Sequence, residues 1–338
     1  MMELRTEHVD DPAAWYGPDL AASEQWIYRL SMADIAELDT AIVGARDISL
    51  REVSRDDFPL DGLAVKLAAI AKEVDRGIGT MLIKGLPVDR LSADEAALAL
   101  WGMGQHVGLP QPQDAAREVF HHVRDTGDKL DINPNLRVYQ TNAEQQFHND
   151  GGDLVMLLCR RAAKSGGASR MASAVTVFNE VMKRDPALAE VLQQPFHFDA
   201  RGQQLAGHPP VQVVPIYVWY GGRLNSLHKR HYVDFAQRFE DVPKLTNAQV
   251  AALDLVDQLC ADPEINIGFE MEPGDIQVAS NFSIFHARDA FEDYPDPAQR
   301  RHMMRLWLGL ADGRPLPACY DGTREFGPLF EIPGRAGP

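Results

Sequence analysis

The chain has 338 residues, which is enough for one large core or two small ones. Its 33 Lys and Arg against 49 Asp and Glu give a formal charge of −16, which argues against nucleic acid as a partner. A composition of 45% hydrophobic and 24% charged residues is typical of a packed globule. No segment has the apolar length of a membrane helix and no leader peptide is evident, so we expect no membrane partner and a cytoplasmic location.

The first part of the chain, residues 1–110, predicts a mainly helical scaffold. Ser31 stands where it could cap a helix whose apolar residues follow at helical spacing, and Ser92 with Glu95 has the pattern of a capping box. Between these helices, residues 80–84 (Thr-Met-Leu-Ile-Lys) predict a strand.

Most predicted strands lie in the last two thirds of the chain. They cover residues 154–159, 170–175, 211–220, 223–228, 265–271, 276–279 and 302–310. A glycine pair turns the third of these strands into the fourth, and a helix is expected from about Thr246. Short strands with helices outside and inserted predict an α+β fold: a double-stranded β-helix core (a cupin-like jelly roll) with helical N-terminal decoration and an inserted lid.

We expect a single domain over residues 1–338. Its predicted parts are the scaffold (1–110), a jelly-roll core (111–175 and 262–312), an insertion or lid (176–261) and a C-terminal tail (313–338).

A metal site is predicted from three side chains. His148 and Asp150 are two residues apart, so on a strand both would face the same way. His286, flanked by predicted strands, is the best candidate for a third ligand. Two His and one carboxylate form the ligand set of non-haem iron(II) oxygenases, which leaves coordination positions open. For the His-x-Asp triplet alone, a hydrogen-bonded structural histidine remains the alternative.

Positive charges enter the otherwise apolar strand at 302–310. A buried guanidinium usually binds an anion, and its planar fork matches a carboxylate. Arg301 and Arg305 are an even number of residues apart and share a face, at a separation of about 13 Å. They predict two anion sites, or one anion site and one structural ion pair. An internal ion pair is a rival role for Arg305 and suits Arg300 better.

With these residues in this order, the sequence resembles the taurine dioxygenase and clavaminate synthase-like family of 2-oxoglutarate-dependent oxygenases. The family pattern is His-x-Asp, a Gly-Gly-x-Thr segment, a distal His and two Arg four residues apart. The chain matches it with His148 and Asp150, then 166–169 (Gly-Gly-Ala-Ser), then His286, and finally Arg301 and Arg305. Ser169 replaces the usual Thr but keeps a hydroxyl, and the long 289–300 loop leaves Arg300 as a second candidate for the cosubstrate ligand.

The resemblance implies that His148, Asp150 and His286 bind iron(II) and are catalytic. It also implies that Arg301 and Ser169 bind 2-oxoglutarate, and that Arg305 contacts the cosubstrate or an anionic substrate near the metal. The implied reaction uses O2 and oxidises, most simply hydroxylates, an unactivated C–H bond of a small carboxylate-bearing or amino-acid-like substrate, with release of succinate and CO2.

Two other classes of function stay open from the residues. One is a non-catalytic jelly-roll module that binds a metal or ligand, and the other is a zinc-dependent hydrolase. A small-molecule substrate is the expected partner, and self-association into a homo-oligomer is not decided by the sequence. Aromatic and basic residues in 200–240 predict either a substrate-binding lid or ordinary hairpin packing.

Overall fold

The structure is a computed structural model that describes residues 4–127, 140–204 and 207–327. Its α-helices are α1 (Gly17–Ala22), α2 (Met32–Ala45), α3 (Asp61–Arg76), α4 (Ala93–Val107), α5 (Ala174–Arg184), α6 (Pro186–Val191), α7 (Arg230–Ala236) and α8 (Asn247–Ala261). Within the described ranges, no helix is long and apolar enough to cross a membrane.

A seven-stranded sheet forms one wall of the core. Its strands are β1 (Ile27–Arg29), β2 (Thr80–Lys84), β3 (Leu109–Gln111), β4 (Phe120–Val123), β6 (Leu154–Arg161), β14 (Ile276–Ser280) and β17 (His302–Gly309). They run in the order β1-β2-β14-β6-β17-β3, and β4 also pairs with β17. All pairings except β1 with β2 are antiparallel.

A second sheet lies opposite, in the order β13-β8-β15-β5. Its strands are β5 (Gln145–His148), β8 (Ser169–Ser173), β13 (Asn266–Phe269) and β15 (Ile284–Arg288). Smaller antiparallel pairs join β7 (Ser165–Gly166) with β16 (Phe291–Glu292), β9 (Pro195–Asp199) with β10 (Val211–Pro215), and β11 (Tyr217–Tyr220) with β12 (Arg223–Ser226). The two main sheets confirm the predicted jelly-roll core.

Strand β17 shows how the large sheet separates the hydrophobic core from the site. Met304, Leu306 and Leu308 join the core cluster formed with the N-terminal helices. Arg305 lies between them in sequence, so the pleat turns it to the other face. There it meets Asp150, which follows the small sheet's strand β5. The interior between the sheets is therefore polar where the two walls approach.

Local signals in the N-terminal part are confirmed. The capping boxes begin α2 at Ser31 and α4 at Ser92, where each serine side chain accepts from the backbone N–H three residues later. The predicted strand at Thr80–Lys84 and the helix capped by Thr246 also form as expected.

The ends of most predicted strands shift by one or two residues, and two predicted strands differ in kind, since one gives way to a helix and the other is divided. The strand expected over 170–175 stops at Ser173, whose hydroxyl accepts from Thr176 N and starts α5. The apolar residues that follow are buried and have helical spacing. Their pattern therefore indicates an amphipathic helix and not a strand. The strand expected over 211–220 breaks after Pro215: its first half pairs with β9 and its second half with β12.

The predicted tail over 313–338 is described only as far as residue 327. Part of this described segment is buried: Tyr320, Glu325 and Phe326 are all shielded from solvent, and the rings of Tyr320 and Phe326 stack. Residues 328–338, like 128–139 within the predicted core, lie outside the described residues.

A candidate metal centre between two cavities

His148, Asp150 and His286 come together between the sheets. His148 ends β5 and stands directly opposite His286 in the β5–β15 pairing. Asp150 Oδ2 lies 3.7 Å from His286 Nε2, and Asp150 Oδ1 lies 4.0 Å from His148 Nε2. One ligand atom from each residue lies within 4.8 Å of the others, and no other such group occurs among the described residues.

Hydrogen bonds fix the direction of His148. Its Nδ1 lies 2.8 Å from the Gln146 carbonyl oxygen, which only accepts, so Nδ1 carries the proton. The lone pair of Nε2 is therefore the one that faces Asp150. This arrangement, with one ring nitrogen bonded to a carbonyl and the other free to bind, is common in metal-ligating histidines.

The loop after His148 is held in place by amide side chains. Asn149 donates to the Ile284 carbonyl and accepts from His228 N. Asp150 N donates to Asn281 Oδ1, and Asn281 donates in turn to the Gly151 carbonyl. The backbone that carries Asp150 is thus tied to the strand that carries His286, so the ligands are positioned before a metal arrives.

The protonation states suit a divalent cation. Burial, with the nearby His286 adding to it, lowers the pKa of His148 to about 3. Burial also lowers the pKa of His286. Burial opposes ionisation of Asp150, but the charge of Arg305 and smaller contributions from the two histidines and Lys229 together outweigh it and hold the pKa of that carboxyl well below its usual range. Near neutral pH the site offers two neutral imidazoles and one carboxylate, which fits iron(II).

Two donors accompany these ligands. Arg305 Nη1 lies 3.2 and 3.1 Å from the two Asp150 oxygens. The Gln145 amide lies 2.8 Å from His148 Nε2. Arg305 is therefore in an internal ion pair, as one reading of the sequence expected, but its partner is the predicted metal ligand itself.

One of the two cavities at the metal group contains the predicted cosubstrate residues. We call it the Ser169 cavity; it has a volume of about 540 Å³. Its walls include both predicted ligands, Ser169 and Arg301, together with Arg305. Arg300 is half-buried and donates to the carbonyls of Tyr294 and Pro295. Of the two neighbouring arginines, Arg301 is the one that lines the cavity.

The other cavity, which we call the Lys229 cavity, has a volume of about 640 Å³. It is lined by Gln145, Gln146, Phe147, His148, Asp150, Arg201, Lys229, Arg230, His231, Tyr232, Arg305, Trp307 and Arg324. Five of these side chains are Lys or Arg and one is Asp. This acidic protein therefore has a strongly basic cavity next to its candidate metal group.

The segment 200–240 divides between the two predicted roles. Its residues 229–232 line the Lys229 cavity. Trp219 instead packs against a hydrophobic cluster that includes Phe178, Phe196 and Tyr217, with the Arg5 guanidinium 4.5 Å from its ring centre. His228 is fully buried and its Nε2 lies 3.0 Å from an Asp257 oxygen, so it has a structural partner.

Comparison with known proteins identifies the family. A sequence model of the "Taurine catabolism dioxygenase TauD, TfdA family" matches residues 43–307. The chain belongs to this family. Membership confirms the resemblance read from the motifs and the predicted class, a 2-oxoglutarate-dependent non-haem iron dioxygenase with iron(II), 2-oxoglutarate and O2 as its cofactors and cosubstrates. It does not favour the binding module or the zinc hydrolase.

Several individual proteins are similar to this TauD/TfdA chain. FR-33289 synthase of Streptomyces rubellomurinus is 27% identical over 334 residues, which is 96% of this chain and 97% of that protein. Uridine-5'-phosphate dioxygenase of an Amycolatopsis species is 28% identical over 182 residues, which is 49% of this chain and 62% of that protein. The structure of asparagine oxygenase with Fe(II), 3-hydroxyasparagine and succinate superposes with a TM-score of 0.66 at 16% identity, over 85% of this chain and 95% of that one.

The Ser169 cavity of this TauD/TfdA dioxygenase holds two residues that the sequence analysis missed. Arg288 and Gln277 both line it, and Arg288 is 4.6 Å above the Phe291 ring while Arg301 is 5.1 Å from the same ring. Burial, with Arg301 adding to it, lowers the pKa of Arg288 to about 9. The signal was present, since Arg288 follows His286 by two residues and shares its face of β15.

Proposed function

We propose that this TauD/TfdA dioxygenase hydroxylates an unactivated C–H bond of a small anionic substrate. The observation that carries the proposal is the position of the metal group, because the same His148 and Asp150 line both cavities. A cosubstrate in one cavity and a substrate in the other would meet at a metal bound between them. His148, Asp150 and His286 would hold that iron.

Arg301 and Ser169 would hold the carboxylate of 2-oxoglutarate that lies away from the metal. Arg301 is 4% exposed, and burial lowers its pKa only to about 10, so it stays charged near neutral pH. Arg288 contacts the same Phe291 ring as Arg301 and adds a second positive charge to the cavity wall. Two buried guanidinium groups in one cavity repel each other unless an anion lies between them.

Bound iron(II) with 2-oxoglutarate would supply the activation of O2, with succinate and CO2 as the products released. The protein's own residues orient and shield this chemistry. Arg305 would remain beside Asp150 as a cation that balances the charge of the bound 2-oxoglutarate. Gln145 would no longer donate to His148 Nε2 once that atom binds a metal, and its amide is then available to a ligand in either cavity, since it lines both.

The substrate would lie in the Lys229 cavity. A lining with five cationic side chains favours an anion, such as a carboxylate, a sulfonate or a phosphate ester. Names of related proteins agree with a small polar substrate: one relative is called a uridine-5'-phosphate dioxygenase, and asparagine oxygenase was solved with a hydroxylated amino acid.

A single domain over 1–338, a cytoplasmic location and a homo-oligomer remain proposals from the sequence.

An anaerobic titration tests the proposal. Purified apoprotein is titrated with iron(II) and 2-oxoglutarate while the weak visible absorption of a keto acid chelated to iron is followed. We expect the band in wild type and its loss in His148→Ala and Arg301→Ala. Arg300→Ala is the matched control, since Arg300 is the neighbouring arginine that points away from the cavity.

Absence of the band in wild type at saturating iron and keto acid would refute the proposal. Its loss in Arg300→Ala as readily as in Arg301→Ala would refute the assigned role of Arg301. If the band appears as expected, candidate substrates can be screened by the succinate that they release.

A further inference from the structure

The C-terminal segment brings a buried charged group to the wall of the Lys229 cavity. Glu325 is 1% exposed, and its Oε1 accepts from Lys229 Nζ at 2.5 Å and from Arg324 Nη2 at 2.9 Å. Its Oε2 accepts from Gln212 Nε2 at 3.0 Å. Lys229 and Arg324 both line the cavity, whereas Glu325 lies behind them. The three charges leave one net positive charge at the wall.

This group is fixed to the metal-bearing loop by the backbone. Lys229 is paired with His148 in an antiparallel bridge. Gly152 N, two residues after Asp150, donates to the Glu325 carbonyl oxygen at 3.1 Å. The distance between the cations and the metal ligands is therefore set by main-chain hydrogen bonds. Such rigid placement is what positioning a substrate next to a reactive centre requires.

Hydrogen-bond donors remain on both cations. Arg324 uses Nη1 on the Gln113 carbonyl and Nη2 on Glu325, while its buried Nε has no hydrogen-bond partner among the described residues. Lys229 Nζ donates to Glu325, and an ammonium has three donors. A buried donor without a partner is costly unless a ligand accepts from it.

Arg230 contrasts with this pair in the same cavity. Its guanidinium is bound to carboxylate oxygens of Asp234, Asp254 and Asp257 at 2.7 to 3.1 Å. Its charge is thus already compensated by three acids. Although Arg230 also lines the cavity, it is therefore not an equivalent anion site.

We infer that Lys229 and Arg324, held by Glu325, bind the oxyanion group of the primary substrate. The inference rests on the proposed function, since it assigns the substrate end of the same site. The ligand chemistry is a small organic molecule whose carboxylate, sulfonate or phosphate-type group accepts from the Arg324 guanidinium and from Lys229 Nζ. Arg301, in the other cavity, would serve the cosubstrate and not this group.

Calorimetric titration of the anaerobic protein with simple anions tests the inference. Wild type saturated with iron(II) and 2-oxoglutarate is titrated with sodium phosphate, sulfate or acetate at constant ionic strength. We expect saturable binding of at least one of them, weakened about 10-fold or more by Arg324→Gln and by Lys229→Met. Arg230→Gln is the control and should change the dissociation constant by less than about 2-fold. The anion that binds most tightly identifies the oxyanion type.

The keto-acid absorption band, recorded in the same samples, separates two kinds of failure. If wild type lacks the band, the proposed function fails whatever the anions do. If the band is present and unchanged by the anions, they are not on the metal, and binding then reports the Lys229 cavity. If circular dichroism shows that Arg324→Gln is unfolded, Lys229→Met still provides an independent test.

Three results would overturn the inference while the band is intact. These are no saturable binding of any of the three anions, binding that Arg324→Gln and Lys229→Met leave unchanged, and weakening by Arg230→Gln as large as by the other two.

Discussion

Replacing Arg305 with methionine would remove the buried cation that faces Asp150. The side chains of this ion pair are 6% and 8% exposed, and the Arg305 guanidinium contacts both carboxylate oxygens. Breaking a buried pair by removing one partner costs about 3–5 kcal/mol, because an uncompensated charge stays behind. Methionine keeps much of the apolar stem, so the loss should report the charge.

Part of the cost does not depend on Asp150. Arg305 Nε also donates to Gln113 Oε1 at 2.7 Å, and a hydrogen bond from a charged donor contributes about 1.5–3 kcal/mol. The remaining cost comes from leaving the Asp150 carboxylate without its cation. It is limited because Asp150 can take up a proton and become neutral. We therefore expect the metal-free variant to lose about 3 kcal/mol of unfolding free energy, of which about half comes from the Asp150 charge.

A bound divalent metal would supply the charge that Arg305→Met removes. The deficit should shrink to about 1.5 kcal/mol at saturating metal, and by linkage the variant should bind metal about 10-fold more tightly than wild type. Urea unfolding measures this, with EDTA or with Mn(II) as a redox-stable probe. In a variant that already carries Asp150→Asn, Arg305→Met should cost only the free energy of the lost hydrogen bond to Gln113.

Two results would refute this reasoning. One is a deficit of Arg305→Met that is equal with and without metal. The other is a variant that binds Mn(II) more weakly than wild type does. Either would mean that Arg305 positions Asp150 as a ligand instead of competing with the metal for its charge.

Two further predictions concern stability. A Cβ on Gly151 would lie 2.6 Å from the Trp307 ring, so Gly151→Ala should lower the free energy of unfolding by about 1–3 kcal/mol, measured in urea. A Cβ on Gly44 would meet no atom within 4 Å, so Gly44→Ala should raise it by about 0.5–1 kcal/mol. Equal effects of the two would contradict the packing argument. Burial opposes ionisation of Asp34, but its bonds with Lys66 and the helix cap outweigh it and lower its pKa from 3.8 to about 2. That carboxylate should stabilise the fold by about 2 kcal/mol above pH 4, and the advantage over Asp34→Asn should be lost as pH falls from 4 towards 2; a gap independent of pH would argue against it.

The metal group could be predicted from sequence because its geometry is mostly local. His148 ends β5 and Asp150 follows it by two residues, and only one long-range pairing is needed to bring in His286. The parity of strand residues likewise predicts that Arg301 and Arg305 share a face, and both line the Ser169 cavity. Period-two patterns survive folding because the pleat fixes them.

Elements governed by competing signals were harder to predict. Residues 174–175 (Ala-Val) continue an apolar strand, yet a Ser173 hydroxyl that caps the next turn starts a helix there. Such a cap is decided by one hydrogen bond, and the β-branched residues around it favour the strand equally well. Likewise, Pro215 divides what reads as one long strand between two partners.

The wall of the Lys229 cavity formed by Lys229, Arg324 and Glu325 could not be predicted because its contacts join distant parts of the chain. Glu325 and Lys229 are 96 residues apart, and Arg324 bonds to Gln113 across 211 residues. Neither end of these pairs has a periodic pattern or a motif around it. The C-terminal segment is predicted only as a tail, and the structure shows that it is partly buried and contributes Arg324 to a cavity.

The charge of the whole chain and the charge of the cavity have opposite signs, and the two act over different distances. At physiological ionic strength, fields from exposed charges are screened within about 8 Å, so the net charge of −16 acts mainly on large polyanions that must cover much of the surface. A small anion that enters the Lys229 cavity is instead governed by Lys229, Arg324 and Arg305, which are shielded from solvent and screened far less. The same composition that argues against nucleic acid as a partner is therefore compatible with an anionic substrate, and we expect selection between them to follow from size and burial, not from net charge.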